Sequence, residues 1–129
     1  MELQKQEYGN FLSTIKQRIR DAQYKAMQAV NKQQIQLNWD IGQMIVEKQE
    51  QHGWGKSIVE QLSKDLQEEF PAQKGWSAQN LWYMRKFFLE YRNNEKLQPL
   101  AGEIAWTHNT IIFSKCKDDL QREFYIHMT

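Results

Sequence analysis

The 129-residue sequence has a single cysteine, Cys116, and only three histidines. One cysteine cannot form an internal disulfide, and a structural zinc site needs several Cys or His ligands at characteristic spacings. No such spacing occurs, and Ser57, Ser77 and Cys116 lie in no local nucleophile motif. The sequence therefore predicts no metal site, no cofactor and no nucleophilic catalysis.

Chain-breaking residues are also scarce, with six glycines and two prolines. An all-β fold with a tight turn about every ten residues would need more of them. Glutamine, a good helix former, is abundant with 17 copies. Aromatic residues make up 12% of the chain, whereas disordered chains are poor in them. We predict an all-α fold, a compact multi-helix domain whose polar faces are exposed to solvent.

No strong charge imbalance and no long apolar run is present. The net charge is +1, which excludes a polybasic coat for non-specific nucleic-acid binding but not a local basic patch. No run approaches the 18 apolar residues typical of a membrane span, and the first ten residues lack the order of a signal peptide. A cytoplasmic protein that does not enter a membrane is predicted.

The first third of the sequence carries a regular apolar stripe. Its members recur at alternating spacings of four and three, which keeps one face of a helix apolar: Tyr8, Leu12, Ile15, Ile19, Ala22, Ala26 and Ala29. The phase then slips in a glutamine-rich stretch, where Asn31 and Gln34 fit a capping box. Two helices, or one kinked helix, are therefore favoured over one continuous helix across 8–49. The stripe is predicted to be core or an oligomer seam.

Glycine and proline divide the next part of the chain. The segment HGWGK at 52–56 is predicted to be an inter-helix turn, because a phosphate loop needs four residues between its glycines and a preceding strand. A helix follows and ends before Pro71. Ser77 is the predicted N-cap of the helix after it. Together, 56–92 has the size of a helix-turn-helix pair.

The last part of the chain is predicted to begin with a loop at 95–102. Thr107 is the predicted N-cap of a short helix, with Trp106 packing on the core just before it. His108 is assigned to structure, because the sequence supplies no nucleophile or metal to make it a catalytic base. Asp118 opens a final helix. One domain, 1–129, is predicted, with a long helical segment at 8–50, the pair at 56–92 and C-terminal helices at 104–129.

The second helix of the pair has two contrasting faces. Its predicted buried face is Leu81, Met84, Phe88 and Tyr91, and its opposite face is Gln79, Trp82, Tyr83, Lys86 and Glu90. The stretch 74–96 has five basic and two acidic residues, a net charge of +3. Amides and cations near a helix N-terminus are what a DNA-recognition helix presents. The alternative is that Trp82 and Tyr83 pack on neighbouring helices and Lys86 is merely solvated.

Several blocks of the sequence, in one order from about residue 12 to the end, resemble the N-terminal domain of YhcG-type bacterial proteins. The blocks are VN at 30–31, LNWDIG at 37–42, IVE at 45–47, GWGK at 53–56, LSKDL at 62–66, WSAQNLWYMRKF at 76–87, IAWTH at 104–108 and REFY at 122–125. The resemblance implies a helical or winged-helix DNA-binding domain that precedes a PDDEXK-type nuclease domain. The chain itself has no Asp/Glu-x-Lys pair of the kind that such nucleases use with Mg²⁺.

The leading hypothesis is therefore a non-catalytic DNA-binding module of a PDDEXK-type nuclease, whose nuclease domain follows in the full protein. The expected nucleic-acid-binding residues are Lys74, Ser77, Gln79, Asn80, Tyr83, Arg85 and Lys86. The alternative is a helical protein-interaction or dimerisation module without nucleic-acid binding, and a homodimer through residues 8–49 is its expected partner arrangement.

Overall fold

The computed structural model describes residues 2–129, apart from the side chain of Leu3. It is 81% helical, which confirms the predicted all-α class. The described residues form six helices, and no strand is found among them: α1 (Glu2–His52), α2 (Lys56–Glu69), α3 (Ala78–Tyr91), α4 (Leu97–Ala101), α5 (Trp106–Lys115) and α6 (Asp119–Met128).

The first helix runs without interruption, so the prediction of two helices or a kinked helix is wrong. Asn31 and Gln34 lie inside α1 and cap nothing. The glutamine-rich stretch stays helical because glutamine is a good helix former that can bond one turn ahead. Gln34 donates to the Oδ1 atom of Asn38 and Gln36 to that of Asp40, each at 2.9 Å.

Only the second part of α1 packs on the rest of the domain. Of the side chains described between residues 2 and 30, only Gln28 is even half-buried, and we call residues 2–30 the arm. At 1.5 Å per residue the arm is about 44 Å long. Burial begins at Ile35 and continues through Asn38 to Val46. The predicted apolar stripe of residues 8–29 is therefore not core in this chain.

The third helix lies at the centre of the domain, between α1 on one side and α5 on the other. Its buried residues are Leu81, Met84, Phe87 and Tyr91. Phe87, not the predicted Phe88, is fully buried, because its ring packs edge-on against Trp106 of α5 at 5.4 Å. Phe88 is half-buried and meets Trp39 of α1 at 4.9 Å.

The second helix joins α1 through a short turn, as predicted. Gly53 has a φ of +65°, a left-handed conformation that glycine adopts without strain, and its N–H donates to the carbonyl of Gln49. Val59 is the buried apolar residue of α2, whereas Leu62 and Leu66 are half-buried. Eight residues, 70–77, connect α2 to α3, which is longer than the three or four residues of a helix-turn-helix connection.

The structure departs from the sequence expectation in two places before α6. The predicted loop 95–102 contains α4, whose first turn is closed by Asn94: its Oδ1 atom accepts from the N–H groups of Lys96 and Leu97, each at 3.1 Å. The next helix, α5, begins at Trp106 with Ala105 as N-cap, so the prediction that Thr107 is the N-cap is wrong. Trp106 reaches the core from the first position of α5, as expected of it.

The last helix, α6, is held against α3 by the buried side chain of Arg122. Arg122 is only 5% exposed, and its Nη2 atom lies 3.0 Å from a carboxylate oxygen of Glu90 on α3. Its guanidinium also lies over the ring of Tyr91 at 5.5 Å and donates to the carbonyl of Cys116. The final helix begins next to Asp118, as predicted, and Asp118 caps it by accepting from the N–H of Gln121 at 2.8 Å.

Candidate nucleic-acid interface

One side of α3 is covered by neither α1 nor α5. Leu81, Met84 and Phe88 turn to α1, whereas Phe87 and Tyr91 turn to α5. At 100° per residue the remaining face contains Gln79, Trp82, Lys86 and Glu90, and we call it the open face. Gln79 and Glu90 are exposed on it, and Trp82 and Lys86 are half-buried.

The N-terminus of α3 is held by its own side chains. Ser77 is the N-cap, as predicted, and its hydroxyl accepts from the N–H of Asn80 at 3.1 Å. The amide of Asn80 is used inside the domain: Nδ2 donates to the carbonyl of Gly75 at 2.7 Å, and Oδ1 accepts from the indole of Trp106 at 2.8 Å. Asn80 therefore connects the preceding loop to α5, with both ends of its amide engaged inside the domain.

Tyr83 was expected on the face opposite the core, but its ring turns to α5. The ring lies edge-on to Phe113 with centroids 6.0 Å apart, and the side chain is half-buried. Its hydroxyl accepts a long hydrogen bond, 3.4 Å, from Nε2 of Gln79. The pairing holds the exposed Gln79 amide at the edge of the open face.

Arg85 is placed by two partners. Its Nε atom donates to the side-chain oxygen of Gln49 on α1, and its guanidinium lies over the ring of Trp82 at 5.5 Å. A cation over an aromatic ring is attracted by the ring's negative face. The two terminal nitrogens of this half-buried guanidinium form no hydrogen bond in the described part of the chain, which leaves their N–H groups as donors for a ligand.

Lys86, at the middle of α3, and Lys74, in the loop before it, complete the set of cations. Lys86 is half-buried on the open face, and Lys74 is exposed in the loop before α3. Within residues 2–129, neither they nor Arg85 form an ion pair. Arg92 and Lys96, at the other end, are paired with Glu50 and Glu123. Among the five cations of residues 74–96, the unpaired ones are therefore Lys74, in the loop before α3, and Arg85 and Lys86, at the middle of that helix.

Sequence inspection missed two residues of this surface. Trp82 was placed opposite the core but not among the binding residues, and it is the ring on which Arg85 lies. Its spacing of three residues from Arg85 could have suggested the contact. Gln49 is 36 residues away from Arg85 in the chain, and no local pattern connects them.

A separate apolar cleft lies between the end of α1 and α2. Its volume is about 390 Å³, and its walls include Met44, Trp54, Ile58 and Leu62. The polar side chains in its lining are Lys48 and Gln49, and Gln49 is already bonded to Arg85. Elsewhere in residues 2–129, no three His, Cys, Asp or Glu side chains gather as a metal site. No described helix has the length and apolarity that crossing a membrane requires.

Comparison with known proteins places the chain in a family. The model of the DUF1016 N-terminal domain matches residues 14–129, which is most of the sequence. The chain belongs to the DUF1016 N-terminal domain family. The resemblance to YhcG-type proteins stated from the sequence blocks is confirmed.

This DUF1016 N-terminal domain is similar to one curated protein of Escherichia coli (strain K12), named "Putative nuclease YhcG". The two are 31% identical over 88 residues, which is 65% of this chain and 23% of that protein. The chain therefore spans about a quarter of the length of this relative. No solved structure is significantly similar to the chain.

Proposed function

We propose that this DUF1016 N-terminal domain is a non-catalytic DNA-binding module that directs the nuclease region of a longer protein to its substrate. The observation that carries the proposal is the position of Lys74, Arg85 and Lys86, in the loop before α3 and at the middle of that helix. None of these three cations has a carboxylate partner among the described residues. Phosphate contacts from Lys and Arg supply most of the affinity of a DNA-binding surface. The association with a nuclease rests on the name of the Escherichia coli relative.

Each residue of the surface has its own role in the proposal. Lys74 and Arg85 contact phosphates, and Lys86 and Gln79 face the groove. Ser77 fixes the start of α3. Asn80 and Tyr83, which the sequence placed at the groove, act instead by holding the loop and Gln79 in position. Trp82 supports the Arg85 guanidinium from below.

The small number of cations sets the expected strength. The two phosphate contacts, from Lys74 and Arg85, give a slope of about −2 in a plot of log affinity against log salt concentration. Binding is therefore expected to be modest and to have a shallow dependence on salt concentration. The nuclease region of the longer protein and the DNA are its two proposed partners.

The proposal is tested by fluorescence anisotropy with labelled duplex and single-stranded DNA at several salt concentrations. Lys86→Glu is expected to weaken binding about tenfold, and Lys74→Glu is expected to make the salt slope shallower by about one. Lys115→Glu is the matched control, because it makes the same charge change at an exposed position of α5, beside α6.

Two results would overturn the proposal. One is the absence of salt-sensitive binding of either DNA at low ionic strength. The other is an equal loss of binding in Lys86→Glu and Lys115→Glu, since the effect would then not be specific to α3. Circular dichroism of both variants shows that each retains its helices.

A further inference from the structure

The arm carries an apolar stripe that no described part of the chain covers. Tyr8 is 63% exposed, Ile19 is 51% exposed, and Leu12 and Ile15 are also exposed. Large apolar side chains in a regular row along a helix are costly to leave in water. We therefore expect an apolar surface of a partner to cover this row of side chains.

The spacing of the stripe indicates what kind of partner fits. The intervals between its members alternate strictly between four and three, an average period of 3.5 residues, which is the period of a left-handed coiled coil and not of a lone straight helix. In heptad terms the members occupy every core position from 8 to 29. The a positions are Leu12, Ile19 and Ala26, and the d positions are Tyr8, Ile15, Ala22 and Ala29.

The stripe also faces away from the domain body. At 100° per residue, the directions of Ile19 on the arm and Ile35 in the core differ by about 160°. A helix laid along the stripe would therefore lie on the side of α1 opposite the packed helices. Two copies could pair along their arms with both domains on the outside of the pair.

We propose that the arm, over residues 8–30, pairs with the arm of a second copy of this chain as a parallel, in-register, two-stranded coiled coil. The proposal is independent of DNA binding by α3. The proposed interface is shorter than the homodimer interface expected from the sequence, residues 8–49, because residues 35–46 already pack on the chain's own helices.

The charges beside the stripe favour the parallel arrangement. In a parallel pair each g residue meets the e residue five positions later on the partner. Arg18 then meets Gln23, and Lys25 meets Val30, so no like charges face each other. In an antiparallel pair, g residues face g residues. If the midpoint of the pair lies between Arg18 and Lys25, Arg18 of each copy faces Lys25 of the other, so the repulsion between these cations occurs twice.

The flanking residues add contact area to the seam. Phe11 at g and Val30 at e are 62% and 67% exposed. Tyr8 and Phe11 together offer about 250 Å² of surface, against about 800 Å² per partner in a standard stable interface. The aliphatic stems of Lys16 and Arg18 can cover more of it. Three alanines keep the helices close but bury little, so association in the micromolar range is expected.

A nucleic acid is the competing occupant, because the arm has five cations and one acid between residues 11 and 32. Phosphates could pair with those cations, but they would leave Leu12, Ile15 and Ile19 in water. A second copy covers these side chains, and for that reason it is the occupant proposed.

Sedimentation equilibrium of the 129-residue chain tests the pairing. The expected mass rises from 15.5 kDa towards twice that value as the concentration increases through the micromolar range. Ile19→Asp is expected to keep the chain monomeric, because it puts a charge in the seam. Tyr24→Asp is the matched control: Tyr24 is 57% exposed on the opposite side of the same arm, and its replacement should leave the dimer unchanged. Neither side chain touches the core, so folding is preserved in both.

Disulfide trapping in a Cys116→Ser background tests the orientation. Leu12→Cys and Ala29→Cys should each cross-link to its own copy in a parallel pair. In the antiparallel pair that sets Arg18 opposite Lys25, Leu12 would lie beside Ala29 of the other copy. Cross-linking would then occur only when the two variants are mixed, and that result would overturn the proposal. A chain that stays monomeric at all concentrations would also overturn the proposal. A third contrary result is a monomer that binds DNA through the arm: Ile19→Asp would leave this binding intact, and the double variant Lys16→Glu and Arg18→Glu would abolish it.

Discussion

Gly42 of α1 lies directly against the backbone carbonyl of Met84 in α3. A β-carbon on Gly42 would overlap the carbonyl oxygen of Met84 and would lie 2.7 Å from its carbonyl carbon. Because the neighbouring atoms are backbone, no side chain can move aside to make room. The crossing of the two central helices therefore depends on glycine, and this crossing sets where Arg85 meets Gln49.

Gly42→Ala should lower the free energy of unfolding by about 3 kcal/mol, because the added methyl forces the two helices apart. Urea unfolding followed by circular dichroism measures the change. Gly9→Ala is the control, since nothing lies within 4 Å of a β-carbon at that position of the arm. There alanine should leave stability unchanged or raise it slightly, as it is the better helix former. Equal effects of the two substitutions would contradict the tight crossing.

Ser77 and Thr107 were both predicted as N-caps, but substitution of each by alanine should change stability by different amounts. Ser77 caps α3 through its hydroxyl, so Ser77→Ala should cost about 1 kcal/mol of stability. Thr107 lies inside α5, and its side chain caps nothing, so Thr107→Ala should cost well under half of that amount. Thermal unfolding of the two variants side by side gives the comparison. A larger loss in Thr107→Ala would mean that α5 begins where the sequence suggested.

Local signals were enough to predict much of the fold. Ser77, Asp118 and the turn at Gly53 act within a few residues of themselves, and the structure has the caps and the turn there. The end of α2 before Pro71 has the same origin, since a residue before proline is pushed out of the helical region. Such features need no knowledge of the rest of the chain.

Features set by packing could not be predicted in the same way. The period of the stripe at 8–29 was correct for a helix, but a period does not say which partner covers the apolar face. Ile35 and Gly42 are buried because α3 crosses them, and that crossing is tertiary. The helix α4 was missed because its first turn depends on the side chain of Asn94, and its burial on contacts of Leu97 with the core.

In the candidate surface, too, some features follow from local sequence and others depend on tertiary packing. The open position of Gln79 and Lys86 followed from helical geometry alone. The inward turn of Tyr83, and the use of both ends of the Asn80 amide, depend on Phe113 and Trp106 of α5. Only the positions of these distant residues decide which polar groups remain free for a ligand.

The ion pair between Glu90 and Arg122 should contribute more to stability than an exposed pair. Arg122 is buried, so Arg122→Ala should cost about 3 kcal/mol through lost packing and the loss of its bonds. Glu90→Gln should cost about 1 kcal/mol, because the Glu90 side chain is 39% exposed and water screens its charge. Glu60→Gln, which breaks the exposed pair with Lys56, serves as the control and should cost about 0.5 kcal/mol or less. A double-mutant cycle of Glu90 and Arg122 without measurable coupling would contradict the tie between α3 and α6.

Tyr91 should make the domain sensitive to alkaline pH. Burial raises the pKa of its phenol from 10.0 to about 12, because the ionised form would lose its hydration inside the core. Between these two values the unfolded chain releases the phenol proton and the folded chain keeps it. The stabilising effect is therefore complete below pH 10 and is lost as the pH rises towards 12, by about 3 kcal/mol in total.

Urea unfolding at a series of pH values between neutral and strongly alkaline measures this loss. Tyr91→Phe should remove most of the decline attributed to Tyr91, while stability at neutral pH changes little, because the hydroxyl has no hydrogen-bond partner among the described residues. Tyr125→Phe is the control: Tyr125 is 50% exposed, and its replacement should leave the alkaline decline as it was. The same decline in the Tyr91→Phe variant as in the parent chain would show that the phenol is not the group responsible.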